Sequence, residues 1–248
     1  MAVILKTVSL HKNFGMVRAA DNINLSINEE EVVGIVGTNG SGKTTLLNLI
    51  TGYLQPTSGE IQFRDKNITG LSPREVIGLG IARSFHIPQL YTGLTVLENM
   101  LIAVATRWGK SWDSWTPLNK NSWVEEALGI LRQFGFESDA RHVVANLPEG
   151  GRKLLDVALS FVLKPKLLLM DEPTSGVSVK EKFAVMDTLL NTLKDAGVTA
   201  VFVEHDVEIV ERYAERVLAL DNGRVIADGM VKVVLADASV RQAVLGVE

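Results

Sequence analysis

The 248-residue sequence predicts an α/β fold: a parallel β-sheet core, a separate antiparallel β layer at the N-terminus, and a helical insertion near the middle. Three observations carry this reading. EVVGIVG (31–37), KLLLMDEP (166–173) and VTAVFVEHD (198–206) contain short apolar runs of the kind that form strands covered on both faces. Helix-period segments lie between them. From about 95 to 163 strand signal is scarce, while helix-capping patterns recur.

Taken in order, VSLHK and INLSIN in the first thirty residues alternate apolar and polar side chains, the pattern of half-buried strands. EVVGIVG follows as a buried strand, then a glycine-rich turn, then TTLLNLITG as a helix ending at Gly52. EIQFRDKNI returns to alternation. Ser72-Pro73-Arg74-Glu75 opens a helix with a capping box and proline at its first position. Thr95–Glu98 and Ser122–Glu125 predict two more capped helices. A helix over about 179–196 separates the last two apolar strands, completing a strand–helix alternation.

Composition excludes several functions. Asp and Glu number 29 against 25 Lys and Arg, a net charge of −4, so a broad electrostatic grip on nucleic acid is not expected. The absence of cysteine removes disulfides, thiolate metal sites and cysteine nucleophiles. Apolar stretches fall short of the roughly 18 residues of a spanning helix. MAVILKTVSL does not read as a secretory leader. The expected location is the cytoplasm, or a membrane surface reached through another protein.

The chemistry gathers at three places. Gly37-Thr38-Asn39-Gly40-Ser41-Gly42-Lys43-Thr44 fits the phosphate-loop pattern G-x-x-x-x-G-K-[ST] between a strand and a helix. Backbone amides at the helix N-terminus cradle phosphate, Lys43 reaches the β- and γ-phosphates, and the Thr44 hydroxyl joins a Mg²⁺ shell. Leu167–Glu172 is an apolar strand ending in two acids: Asp171 placed for Mg²⁺, Glu172 placed to orient or deprotonate water. The next strand ends in Glu204-His205, where an imidazole can meet a γ-phosphate.

These pieces resemble the ATP-binding cassette family of transporter ATPases along nearly the whole chain. The resemblance implies ATP and Mg²⁺ as cofactors. It makes Gly37–Thr44, with Thr45 behind it, the phosphate loop, Phe14 the aromatic that stacks on adenine, and His205 the switch histidine. It also implies a RecA-like P-loop NTPase core (1–94 and 164–248) carrying the antiparallel layer, with an inserted helical subdomain (95–163). Within the family the chain is most similar to ATP-binding subunits of branched-chain amino-acid importers, through Arg83-Ser-Phe, Gly93–Asn99, Asp171–Gly176 and Ala243–Gly246. The same phrases fit importers of urea and related small molecules.

Three positions depart from the family pattern. The residue after Phe85 is usually a glutamine that contacts Mg²⁺ and the lytic water; here it is His86, with Gln89 three residues on as the other candidate. The family signature aligns with Leu147-Pro148-Glu149-Gly150-Gly151, where Pro148 removes an N–H and Glu149 adds charge near the docking phosphate. The amides of Gly150 and Gly151 are then left to bind it. Ser178 stands where an acid or amide is usual, and Ser178–Glu181 also reads as a capping box.

The implied partners are transmembrane permease subunits, a second cassette subunit across the nucleotide (a heterodimer, given the weak signature), and a solute-binding protein acting indirectly. Nucleic acid is not expected. A cassette ATPase working on DNA or ribosomes, and a nucleotide sensor with slow turnover, are the competing functions. Trp108, Trp112, Trp115 and Trp123 crowd the middle of the chain, either packing within the helical segment or docking a membrane subunit.

Overall fold

The computed structural model describes residues 2–108 and 120–245. The chain opens with a long antiparallel hairpin, β1 (Val3–Phe14) and β2 (Val17–Asn28), and crosses into β3 (Val32–Val36) and helix α1 (Lys43–Ile50). It returns through β4 (Ser58–Phe63) and the short β5 (Lys66–Asn67), then α2 (Pro73–Leu79) and β6 (Ile81–Ser84). Helices α3 (Val96–Arg107), α4 (Asn121–Gln133) and α5 (Glu149–Phe161) follow. The remainder alternates: β7 (Leu167–Asp171), α6 (Val179–Asp195), β8 (Thr199–Val203), α7 (Val207–Tyr213), β9 (Arg216–Asp221), β10 (Arg224–Met230) and α8 (Val231–Ala236).

Two sheets result. The antiparallel layer runs β2-β1-β4-β5, and the second sheet runs β10-β9-β3-β8-β7-β6. All neighbours in the second are parallel except β10, which pairs antiparallel with β9. Strand β3 therefore lies between β8 and β9.

The apolar strands are buried on both faces, as their composition predicts. Leu167 and Leu169 of β7 pack with Val201 and Val203 of β8, Leu46 and Leu47 of α1, and the inner face of the antiparallel layer. Leu168 and Met170 point the other way, with Ala200 and Phe202, toward α5 and α6. Gly34 sits on this second face. A Cβ there would come within 3.1 Å of Ala214 and 3.2 Å of Val210, so the glycine lets α7 lie close to β3.

Capping follows the sequence at two helices and departs from it at a third. Glu75 accepts from the Ser72 amide at 2.8 Å, and Glu98 accepts from the Thr95 amide at 2.7 Å while Thr95 Oγ1 accepts from the Glu98 amide. Helix α4 instead starts at Asn121 behind Lys120, whose carbonyl accepts from the amides of Trp123 and Val124, so Ser122 falls inside the first turn. This start turns Trp123 into the core. Strand β6 and the β9–β10 hairpin have no counterpart in the sequence reading. Among the described residues, no helix is long and apolar enough to cross a membrane.

Candidate functional site

The parallel strands β3, β7 and β8 carry Gly37, Glu172 and His205 just beyond their C-terminal ends, where open α/β sheets place ligand sites. After Val36 the chain turns through Gly40 (φ +83°) and Gly42 (φ +104°) into α1. A Cβ on Gly42 would lie 2.5 Å from the carbonyl oxygen of Ala19, so no other residue fits there. The turn leaves the first amides of α1 without intrahelical partners, aimed at the loop.

Lys43 is buried and folds back over this loop, its Nζ donating to the carbonyls of Gly37 at 2.7 Å and Thr38 at 2.9 Å. Burial pulls the lysine below its ordinary pKa, opposed by the nearby charges of Glu172 and Asp171. Ser41 Oγ is buried without a hydrogen-bond partner. A cavity of about 520 Å³ opens beside the loop. Asn39, Gly40, Gly42, Lys43, Thr44 and Thr45 line one side; Met16–Ala19 and Asn222 form another wall, and Glu172 and His205 close it.

Not every expected residue meets this cavity. Phe14 ends β1 half-exposed with Lys12 Nζ 5.1 Å from its ring centre, and the wall next to it is built from Met16 and Val17. Gly150 and Gly151 are not among the lining residues; they lie in the first turn of α5, behind Pro148. The carboxylate of Glu149 lies 3.7 Å from Arg152, which offsets part of its charge.

Asp171 ends β7 buried, its carboxylate 2.8 Å from Arg83 on β6, and Arg83 also reaches Asn48 of α1 at 2.5 Å. Glu172 adopts φ +51°, with its amide donating to Val203. That backbone turn sends its carboxylate between two imidazoles. His205 Nε2 lies 3.0 Å from Oε1, and His86 Nδ1 lies 3.0 Å from Oε2. Gln89 instead has its side chain on the carbonyl of Ile87.

Sequence reasoning assigned no role to the supports of this site. Glu204 is buried, accepts from the amide and hydroxyl of Thr174 and from the His205 amide, and is pushed up in pKa by burial. Lys153 and Asp156, both buried on α5, hold the segment around His86. A charged residue on an otherwise apolar helix face is the one signal in the sequence that marks them.

The arrangement suits a polyphosphate substrate. Gly40, Gly42, Lys43 and Thr44 line the cavity at the start of α1, and a doubly supported carboxylate stands at its edge. Among the described residues, no three His, Cys, Asp or Glu side chains are placed to hold a metal by themselves. A cation here would take ligands from the substrate, as Mg²⁺ does with phosphate oxygens.

Comparison with known proteins gives a consistent result. Residues 20–175 match the family described as ABC transporter. The chain is 34% identical to a probable branched-chain amino acid transport ATP-binding protein LivG of Methanocaldococcus jannaschii, over 98% of this chain and 97% of that one. A crystal structure of the ADP conformation of an ATP-binding cassette of an ABC transporter superposes with a TM-score of 0.90 at 32% identity, covering 100% of both chains. A dimeric post-hydrolysis cassette bound to ADP and Pi superposes with a TM-score of 0.77 at 27% identity, covering 92% of this chain and 99% of that one. A phosphate loop closed by a glutamate between two histidines, on this sheet and with these relatives, places the chain in the ABC transporter family, as an ATP-binding and ATP-hydrolysing subunit.

Proposed function

We propose that this chain powers a membrane importer of branched-chain amino acids or a similar small polar solute, working at the inner membrane face under permease subunits. The observation that carries the catalytic part is the Glu172 carboxylate, held by His205 and His86 at the edge of the phosphate-loop cavity. The names of the relatives support the solute class.

In this reading the amides of Gly37–Thr44 and the Lys43 ammonium bind the β- and γ-phosphates, with Phe14 or the Met16–Val17 wall beside the base. Thr44 and Asp171 would hold Mg²⁺, with His86 beside them. Bound Mg²⁺ supplies charge neutralisation on the phosphate oxygens. Glu172 orients the attacking water and accepts its proton, while His205, its Nε2 on the carboxylate, stands beside the γ-phosphate. Helices α3, α4 and α5, within 95–163, would make up a helical subdomain beside the core assigned to 1–94 and 164–248.

Pro148 offers no N–H, and Glu149 keeps a charge only partly offset by Arg152. The partner is therefore a different cassette subunit with a stronger signature, and a solute-binding protein acts through the permease. Two measurements test the reading. Lys43→Ala should lose nucleotide affinity in a titration with Mg-ATP, and unchanged binding would remove the phosphate-loop role. In the Glu172→Gln background, Glu149→Gly should strengthen ATP-dependent self-association in analytical ultracentrifugation. A tight, fully active homodimer of the unmodified chain would remove the heterodimer.

A further inference from the structure

Helix α5 carries a polar stripe where it packs on the segment between β6 and α3. Lys153, Asp156 and Ser160 share one helix face at spacings of three and four, and the first two are 5% and 6% exposed. The Lys153 ammonium donates to the carbonyl of His86 and, at 3.2 Å, to the carbonyl of Glu172. The two oxygens of Asp156 accept from the amides of Phe85 at 3.2 Å and Gln89 at 3.0 Å. Ser160 Oγ donates to the carbonyl of Arg83 at 3.2 Å. One helix thus holds four backbone groups between Arg83 and Gln89, and the Glu172 turn as well.

Packing alone does not call for this. Buried ammonium and carboxylate groups are costly to desolvate, and aliphatic side chains would join two elements at lower cost. Hydrogen bonds to specific carbonyls and amides do what aliphatics cannot: they fix how the two backbones sit relative to each other. Glu172 makes that matter, because its left-handed φ is disfavoured by its own β-carbon. Its amide is pinned by Val203 and its carbonyl by Lys153, and this pinned peptide aims the carboxylate at His86 and His205.

Gly150 and Gly151 lie in the first turn of the same helix, and Lys153 is about 4.5 Å further along its axis than Gly150. We infer that Lys153 is a positioning residue that links the first turn of α5 to the His86–Glu172 pair, so that a phosphate docking on Gly150 and Gly151 sets the geometry of the chain's own hydrolytic carboxylate. This rests on the reading that this chain pairs with a second cassette across the nucleotide, whose phosphate is left to the amides of Gly150 and Gly151. α5 is one continuous helix of 13 residues, and Lys153 ties it to two carbonyls at once.

The test is steady-state hydrolysis of Mg-ATP by the chain assembled with its partner cassette and permease, comparing the parent with Lys153→Met, Lys153→Arg and Glu172→Gln, with melting temperatures of the isolated chain measured alongside. Lys153→Met should lower kcat on the order of tenfold to a hundredfold with KM within about twofold, since positioning is lost and phosphate binding is not. Lys153→Arg, which keeps donors at similar reach, should recover most of the rate. Amide hydrogen exchange over Phe85–Gln89 and at Glu172 should quicken in the Met variant and return toward parental values in the Arg variant. A parental kcat in Lys153→Met overturns the inference, as does an Arg variant no better than Met. Should Lys153→Met fail to fold, Asp156→Asn takes its place: the same kcat loss at constant KM supports the link, and a parental kcat removes it. If Glu172→Gln hydrolyses ATP like the parent, the underlying catalytic reading has failed instead.

Discussion

Nδ1 of His86 lies 3.0 Å from one carboxylate oxygen of Glu172, across a chain separation of 86 residues. The other oxygen is held by His205 at the same distance. Two contacts from opposite sides fix the rotation of the carboxylate, yet each oxygen keeps a second lone pair for a water. Both imidazoles are nearly half exposed, so water has a route to the group they hold.

Glu172→Gln should therefore lower ATP turnover by about a hundredfold or more while leaving nucleotide affinity within a few fold. The amide removes the proton acceptor and turns an N–H toward one imidazole. Paired turnover and binding measurements decide it, and a variant with parental turnover would remove Glu172 from the reaction.

Arg83→Met should destabilise the fold by about 3–5 kcal/mol, because Asp171 would stay buried without its partner. The double variant with Asp171→Asn should recover part of that loss. Urea unfolding of the parent, both single variants and the double variant gives the coupling. Purely additive effects would show that the 2.8 Å contact contributes nothing.

Glu204 predicts a pH dependence. Burial raises its pKa, although the hydrogen bonds from Thr174 and from the His205 amide pull the other way. The folded chain keeps this proton where the unfolded chain has lost it. Its contribution to stability is full below the ordinary carboxylate pKa and declines as pH rises through the raised one. Relative to Glu204→Gln, the parent should lose urea resistance as pH rises from about 4 toward neutrality. Drift in the opposite direction would contradict the assignment.

Trp123→Ala should cost about 3–5 kcal/mol, since the ring is 7% exposed and packed in the core. Among the described residues Trp108 is 59% exposed and stacked by Arg107 at 5.5 Å, so Trp108→Ala should change stability by less than about 0.5 kcal/mol. Denaturation curves of the two variants test the contrast. The sequence treats the four tryptophans as one cluster, and these two have different surroundings; Trp112 and Trp115 lie outside the described residues.

What could be read in advance was local. The Gly37–Thr44 run, the apolar strand before Asp171 and the capping at Ser72 and Thr95 depend on neighbours a few residues away, so their pattern carries their structure. Strand β6 has four residues between a helix and a loop, too short for periodicity to declare it. The pairing of Arg83 with Asp171, and of Lys153 with the carbonyls of His86 and Glu172, joins segments far apart in the chain. No spacing rule reaches that far. Ser122 shows the opposite failure: a good local signal, yet the helix starts at Asn121 with Ser122 inside its first turn and Trp123 buried.

The position of β3 between β8 and β9 has a consequence for biosynthesis. Val32–Ile35 pair with Ala200–Val203, and Val33–Val36 pair with Arg216–Ala219. A ribosome that has made fifty residues has already produced the whole phosphate loop and α1, but neither flanking strand exists. The β1–β2 hairpin, with its two-residue turn, can close early. The nucleotide cradle cannot be seated until the chain has grown past Ala219. During most of translation, therefore, the strand that leads into the phosphate loop lacks both of its sheet neighbours.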